Sequence, residues 1–234
     1  MAGYRLLRCL GRGWESTSYL ATEEASGVLR RLKFYRPSNE WPPGFLGHTA
    51  ATFDLLHPTG AVPAYHHMGV WQRNRREAIP YLVLNYIDGV PLTKMLDRGR
   101  WGRTWRPEQA LRLAASMARR IAAVHALGRA LGDFEYGNNI MVLADGCAMW
   151  CDLGPGSPEL PNDWYEGDRI DFFTTLDRLL ALQPVAPALE RAARAIGRWR
   201  GCRVRQQTFA RISAVLDDLE ANGWDRGRRR GKVD

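Results

Sequence analysis

Asp133 stands five residues before Asn138 in the stretch Leu131-Gly-Asp-Phe-Glu-Tyr-Gly-Asn-Asn-Ile-Met-Val142. Asp152 follows after one hairpin's length, in Cys151-Asp152-Leu153-Gly154. These are the side chains that phosphoryl transfer requires. An acidic group must lie near the attacking hydroxyl, and oxygen ligands must hold a magnesium ion on the nucleotide phosphates. Asp133 is the candidate for the first role, and Asn138 and Asp152 for the second. A further pair of features belongs to the same chemistry. Gly11 and Gly13, with one residue between them, permit close approach of backbone to a phosphate. Ser16 stands where a third glycine would complete the Gly-x-Gly-x-x-Gly pattern. Taken alone, a glycine-containing hairpin turn is the commoner explanation of the same residues. Lys33 lies in Leu29-Arg-Arg-Leu-Lys-Phe-Tyr35 and is one of only three lysines, with Lys94 and Lys232, in a chain whose other basic residues are all arginine.

The elements that must position these groups follow from periodicity and punctuation. Tyr4–Leu10, Tyr19–Thr22 and Val28–Tyr35 read as strands. Pro42 and Pro43 open a helix over Phe45–Leu56, which His57-Pro58 ends. Val62–Val70 and Ile79–Ile87 read as strands, and Asp88-Gly89 as a turn. His66 and His67 are adjacent, so a strand would point them to opposite faces, which argues against a shared metal site. Pro91–Asp97 reads as a short helix and Gly99–Gly102 as a loop. A long helix opens at Arg106-Pro107 with Ala110, Leu113, Met117, Ile121 and Val124 on its apolar stripe, and ends near Gly128. Ile140–Leu143 and Met149–Cys151 form a hairpin around Asp145-Gly146, which folds Asn138 and Asp152 toward the same end. A turn-rich loop spans Pro155–Pro161. Helices are expected over Asp168–Leu182, Ala188–Trp199 and Thr208–Leu219, and a disordered Gly- and Arg-rich tail from Asn222. The plan is α+β and two-lobed: a β-rich N-lobe over 1–87, a mainly helical C-lobe over 88–221 and a basic tail over 222–234.

At 234 residues, with 45% hydrophobic and 25% charged content, the chain has the balance of a soluble globular protein rather than a disordered one. No run reaches the roughly 18 apolar residues of a spanning helix. No signal peptide is expected, because Arg8 and Cys9 interrupt the leucines near the start. The four cysteines lack paired spacing and read as free thiols, which places the chain in the cytoplasm. The net charge is +8. Ala188 to Asp234 carries twelve basic against six acidic residues. Such an excess is a solvated face, or it attracts an anionic surface such as the inner membrane leaflet or lipopolysaccharide. A nucleic-acid partner is disfavoured, since no aromatic interleaving or nucleic-acid motif accompanies the charge.

In their order and spacing these residues resemble the protein-kinase-like superfamily from about Tyr4 to Leu182. The resemblance implies a two-lobed kinase fold that uses ATP and magnesium. It implies that Gly11 and Gly13 belong to the glycine-rich loop and that Lys33 is the phosphate-binding lysine. Leu82-Val-Leu-Asn-Tyr-Ile-Asp-Gly89 is similar to the hinge, so Asn85 and Ile87 would offer backbone groups to adenine and Leu84 would back its pocket. Asp133 corresponds to the catalytic base, Asn138 and Asp152 to the metal ligands, and Asp168 to the helix-start Asp that braces the catalytic loop.

The departures concern the substrate. Leu131-Gly132 replaces the usual His-Arg, Glu135 stands where protein kinases place a lysine, and no Ala-Pro-Glu motif follows. The acid expected to pair with Lys33 is unassigned: Glu40 precedes the helix, Asp54 lies near its end, and His48 and Thr52 hold the typical offsets. The acceptor most general for the superfamily is a protein Ser or Thr hydroxyl. A lipopolysaccharide sugar or other small molecule is the alternative acceptor, and a nucleotide-binding pseudokinase scaffold is the alternative function.

Overall fold

A computed structural model describes residues 3–36, 43–75, 77–97, 106–134, 137–153, 163–182, 186–204 and 207–222. Glu40, the Gly99–Gly102 and Pro155–Pro161 loops, Glu135 and the basic tail beyond Asn222 lie outside the described residues. The chain divides into two compact units, Met1–Ile87 and Asp88–Asp234.

The first unit is a five-stranded sheet with one helix. The strands are β1 (Tyr4–Arg12), β2 (Ser16–Glu23), β3 (Leu29–Tyr35), β4 (Tyr65–Asn74) and β5 (Glu77–Asn85), and α1 (Phe45–Leu56) lies between β3 and β4 in sequence. Their order in the sheet is β1-β2-β3-β5-β4. Every neighbouring pair is antiparallel. Ser18 pairs with Lys33 and Leu20 with Arg31, so the two-residue alternation puts Arg31, Lys33 and Tyr35 on one face. The other face carries the core of Tyr4, Ala21, Leu32, Phe34 and Val83, closed by Tyr19, Trp71, Ile79 and Tyr81. Tyr35, Ala50 and Leu82 form a second cluster with Phe45 and Leu46 of α1. Phe53 and Leu56 of α1 are fully buried, each contributing about 1.5–3 kcal/mol by leaving water.

The strand expected over Val62–Val70 begins instead at Tyr65. Ala61 and Val62 are fully buried in the preceding turn, so their apolar character reflects burial without extension, and Pro63 keeps them out of the ladder. β1 runs two residues beyond Leu10, with Gly11 paired to Ser18 and Arg12 to Thr17. The turn is therefore Gly13–Ser16, closed by the Gly13 N–H donating to the Ser16 carbonyl at 2.9 Å.

The second unit is built on α3 (Pro107–Ala126), against which α4 (Asp163–Leu180), α5 (Ala186–Ile196) and α6 (Thr208–Asn222) pack. Pro107 occupies the first turn, where a missing N–H costs nothing. Gln109 Oε1 accepts the Arg106 N–H at 3.0 Å. Beyond the expected stripe, Leu111, Ala114, Ala115 and Ala118 are also buried. α3 is thus enclosed on most of its circumference, and its alanines allow close packing. Among the described residues no helix is long and apolar enough to cross a membrane.

A three-stranded sheet completes this unit: β6 (Gly89–Pro91), β7 (Ile140–Leu143) and β8 (Ala148–Trp150), in that order, with the short α2 (Leu92–Leu96) following β6. A turn was expected at Asp88-Gly89 and a helix from Pro91, but Gly89 and Pro91 bound β6. A Cβ on Gly89 would stand 2.9 Å from the Val142 carbonyl oxygen, so glycine is what lets this segment lie against β7. The expected helix start at Asp168 is also corrected. α4 begins at Asp163, and Asp168 lies in its second turn. The Glu166–Arg169 pair, three residues apart, reinforces those added turns.

Candidate functional site

The candidate site residues fall into two groups, one in each unit. In the first unit, strand register collects Ser16 and Ser18 of β2, Arg31 and Lys33 of β3, and Leu82 and Leu84 of β5 on one face of the sheet. Gly11 joins them through its pairing with Ser18. Lys33 is 3% exposed, and Ser16 and Ser18 are buried beside it. The Lys33 ammonium lies 4.9 Å from the centre of the Tyr35 ring, a cation–π contact. Arg31 reaches Ser18 Oγ through Nε at 3.1 Å and Nη2 at 2.9 Å. Leu84, directly across from Arg31, is fully buried. Asp54 is the one acid within α1, and it is exposed.

Asn85 and Ile87 close this unit. The Asn85 N–H donates to the Ala64 carbonyl at 2.8 Å, which leaves the carbonyl as the backbone group of Asn85 that could meet a base. Asn85 Oδ1 takes Arg30 Nη1 at 2.6 Å and lies 2.7 Å from His66 Nε2. Ile87 is buried. His66 is engaged with Arg30 and Asn85, whereas His67 Nδ1 lies 3.5 Å from the Tyr4 hydroxyl. The two imidazoles serve separate contacts.

In the second unit the β7–β8 hairpin fixes the remaining groups. Ile140 pairs with Trp150, and the Cys151 N–H donates to the Asn139 carbonyl at 2.8 Å. Asn138, Asn139 and Asp152 are therefore at one end of one hairpin. The hairpin is tied to the central helix by the Ala148 N–H, which donates to Ser116 Oγ of α3 at 3.1 Å. Trp150 is fully buried and meets the Phe134 ring edge to face, centroids 5.2 Å apart. Phe134 follows Asp133 in sequence. One aromatic contact thus links the loop that carries Asp133 to the strand that carries Asp152.

The loop before β7 is held from three sides. Gly132 has φ +68°, the left-handed region that glycine enters without strain. This is a physical reason for glycine directly before Asp133. Its N–H donates to Asp168 Oδ1 at 2.8 Å, and the Leu131 N–H donates to Asp168 Oδ2 at 3.0 Å. His125 Nε2, 2.9 Å from the same Oδ2, must be the donor there, because an ionised carboxylate only accepts. Asp168 and His125 are both fully buried. His125 Nδ1 finds no partner among the described residues. The Tyr165 ring lies 4.4 Å from the imidazole, and burial raises the Tyr165 hydroxyl above its ordinary range.

On the far side of the loop, Asn139 Nδ2 donates to the Asp133 carbonyl at 3.1 Å. Asp133 and Asn138 are themselves exposed. Asp152 Oδ1 accepts the Leu153 N–H at 3.0 Å. Asn139 is the residue that spacing passed over, since counting five from Asp133 ends on Asn138. Its signal was position: Asn139 directly precedes β7, and the first residue outside a strand is held by the ladder. The donor set of Asp152 carboxylate and Asn amide oxygens is all-oxygen and suits a hard cation such as Mg²⁺. Among the described residues no group of three or more His, Cys, Asp or Glu could hold a metal. A cation at this end would share its coordination with ligand oxygens and water.

No family model and no curated protein matches the chain. Solved structures do. The kinase domain of PknI from Mycobacterium tuberculosis, in a double-mutant form, superposes with a TM-score of 0.63 at 17% identity, covering 94% of this chain and 96% of that one. A single-mutant form of the same domain gives 0.62 at 18% identity, with the same coverage. At such identity the likeness establishes the fold: this chain has a protein-kinase-like fold, a β-rich N-terminal part followed by a mainly helical one.

Proposed function

We propose that the chain is a kinase that transfers the γ-phosphoryl group of ATP to a hydroxyl acceptor with the help of magnesium. The observation that carries this reading is the β7–β8 register. It gathers Asn138, Asn139 and Asp152 at one end while Phe134, packed on Trp150, holds Asp133 in the adjoining loop. Bound magnesium would neutralise charge on the transferring phosphates. Asp152, with the amide oxygens of Asn138 and Asn139, would hold it. Lys33, with the backbone near Gly11 and Gly13, would hold phosphate oxygens. Leu84 would bound the base, with the Asn85 carbonyl and Ile87 backbone meeting its edge. Asp133 would orient the acceptor hydroxyl and receive its proton late in the transfer. Asp168 would keep Asp133 in place.

The acceptor we favour is a protein Ser or Thr, with a lipopolysaccharide sugar or another small molecule as the alternative. The protein would act in the cytoplasm. Its basic C-terminal region would draw it to an anionic membrane surface, although Arg194 and Arg200 there already pair with Glu190 and Asp177. A nucleotide-binding scaffold without transfer is the second reading.

Radiolabelled ATP, added with magnesium to protein and a host lysate fractionated into protein, lipid-polysaccharide and small-molecule pools, tests the proposal. Magnesium-dependent label in one pool, absent with Asp133→Asn, is the expected result. Metal-dependent ATP binding without transfer or hydrolysis would instead establish the scaffold.

A further inference from the structure

Tyr35 ends β3, two residues after Lys33, and is 2% exposed. It pairs with Ser16 as Lys33 pairs with Ser18, so both side chains leave the same face of the sheet. The Lys33 ammonium lies 4.9 Å from the centre of the Tyr35 ring, inside the roughly 6 Å over which a ring face attracts a cation. The ring is itself held. Phe45, the first residue of α1, meets it edge to face at 83°, with centroids 5.7 Å apart. Ala50 of α1 and Leu82 of β5 are buried in the same cluster, and Leu46 and Tyr65 pack against it. The place of the Lys33 ammonium is thus tied, through one ring, to both the sheet and the helix.

Two physical consequences follow from a ring at this place. Lys33 is 3% exposed, and a charge taken so far out of water needs electrostatic compensation. The negative face of an aromatic ring supplies part of it without bringing a charge of its own. The ring therefore leaves the positive charge of Lys33 undiminished for an anion. The second consequence concerns freedom. A lysine stem has many rotamers, and a ligand that must fix them binds more weakly. A ring that already fixes the ammonium removes that cost from binding. An aliphatic side chain would fill the same space between Phe45 and Leu82 and offer the cation no negative face.

We infer that Tyr35 is a positioning residue for Lys33: its ring face holds the ammonium in place for the phosphate oxygens of a nucleotide. The inference rests on reading Lys33 as the phosphate-binding group and extends that reading to its neighbour. The aromatic face of residue 35 carries the role, so phenylalanine should serve there and leucine should not. The effect should also fall on the phosphates alone, because Lys33 has no part in holding the base.

The test has two arms on the full chain. In the first, lysine is labelled with ¹³C at Cε and its signals are followed by NMR without ligand. The chain has only Lys33, Lys94 and Lys232, and the Lys33 signal is assigned by its loss in Lys33→Arg. Protons over an aromatic face are shielded. The Lys33 signal should therefore lie upfield of that of the exposed Lys94 in the parent and in Tyr35→Phe, and move to the Lys94 position in Tyr35→Leu. A parental Lys33 signal that coincides with Lys94 would overturn the contact, whatever the variants do. In the second arm, calorimetry compares MgATP with adenosine, which lacks phosphates. Tyr35→Leu should weaken MgATP binding by about 3- to 30-fold and leave adenosine within about twofold. Tyr35→Phe should stay within about twofold of the parent for both ligands. Equal losses for the two ligands would reduce Tyr35 to a packing residue, and parental or tighter MgATP binding in Tyr35→Leu would overturn the positioning role. A parent chain that binds neither ligand refutes the nucleotide reading, and the first arm still decides whether the ring holds Lys33.

Discussion

Replacing Asp168 probes the physical centre of the site. Its carboxylate is fully buried and accepts from the Leu131 N–H, the Gly132 N–H and His125 Nε2. Asp168→Ala leaves three donors without an acceptor. A buried donor left unmade costs about 1–3 kcal/mol, and three are left here. Gly132 is only partly buried, so water recovers some of its share. The expected loss is therefore about 3–5 kcal/mol, a large part of the roughly 5–15 kcal/mol that stabilises a domain. Asp168→Asn divides the effect. Oδ2 serves both Leu131 and His125, whereas Oδ1 serves Gly132 alone. An Asn turned with its oxygen toward the Oδ2 position keeps two of the three bonds and sets its amide group against the Gly132 N–H. Its cost should be about 1–3 kcal/mol. Urea unfolding followed by circular dichroism at neutral pH reads both variants. A loss below about 1 kcal/mol for Ala, or equal losses for Ala and Asn, would refute the three-donor account.

Other perturbations address the chemistry. Asp152→Ala should remove the magnesium dependence of ATP binding in calorimetry while the circular dichroism spectrum stays parental; unchanged metal-dependent affinity excludes Asp152 as a ligand. Asp133→Asn should bind MgATP as the parent does and lose transfer by about 100-fold or more, and a parental rate would remove Asp133 from the mechanism. Asn139→Ala should slow turnover more than Asn138→Ala, because only Asn139 also ties down the Asp133 carbonyl; the reverse order would return the metal role to Asn138 alone. Asp171 has a pKa raised by burial and by Asp168 and Asp133. Its ionisation therefore opposes folding, and its contribution to stability grows as pH falls through the raised folded pKa toward the ordinary 3.8. Unfolding midpoints of parent and Asp171→Asn should draw apart in the parent's favour on acidification, and a constant difference would contradict this.

Much of the fold could be read from local pattern. His57-Pro58 ends α1 because proline acts at a single position on φ and on the N–H, whereas the helix opens at Phe45 from Gly44 rather than on a proline. The Asp145-Gly146 turn announces the β7–β8 hairpin for the same kind of reason. What escaped depends on contacts distant in sequence. Gly89 looks like punctuation until Val142 is seen 2.9 Å from where its Cβ would stand. The wide burial of α3 arises because three helices and β8 cover it, and periodicity in one segment does not report how many neighbours it has. Asp168 could be singled out from its resemblance to a motif, but its partnership with His125 spans 43 positions. Asn139 is an ordinary polar residue in sequence. It acquires meaning only through the Asp133 carbonyl that it meets.

The hairpin behind Asp152 also acts as a ruler. From Ile140 to Trp150 its two arms are matched residue for residue, and its closed end hangs on Ser116 of α3. Loss or gain of one residue at the Asp145-Gly146 turn would shift one arm by half a pleat. Trp150 would then exchange its buried side for the opposite one, and Asp152 would no longer arrive level with Asn139. Over evolutionary time, length variation should therefore be rarer in this surface turn than its exposure suggests, because its residue count sets the reach of a carboxylate at the other end.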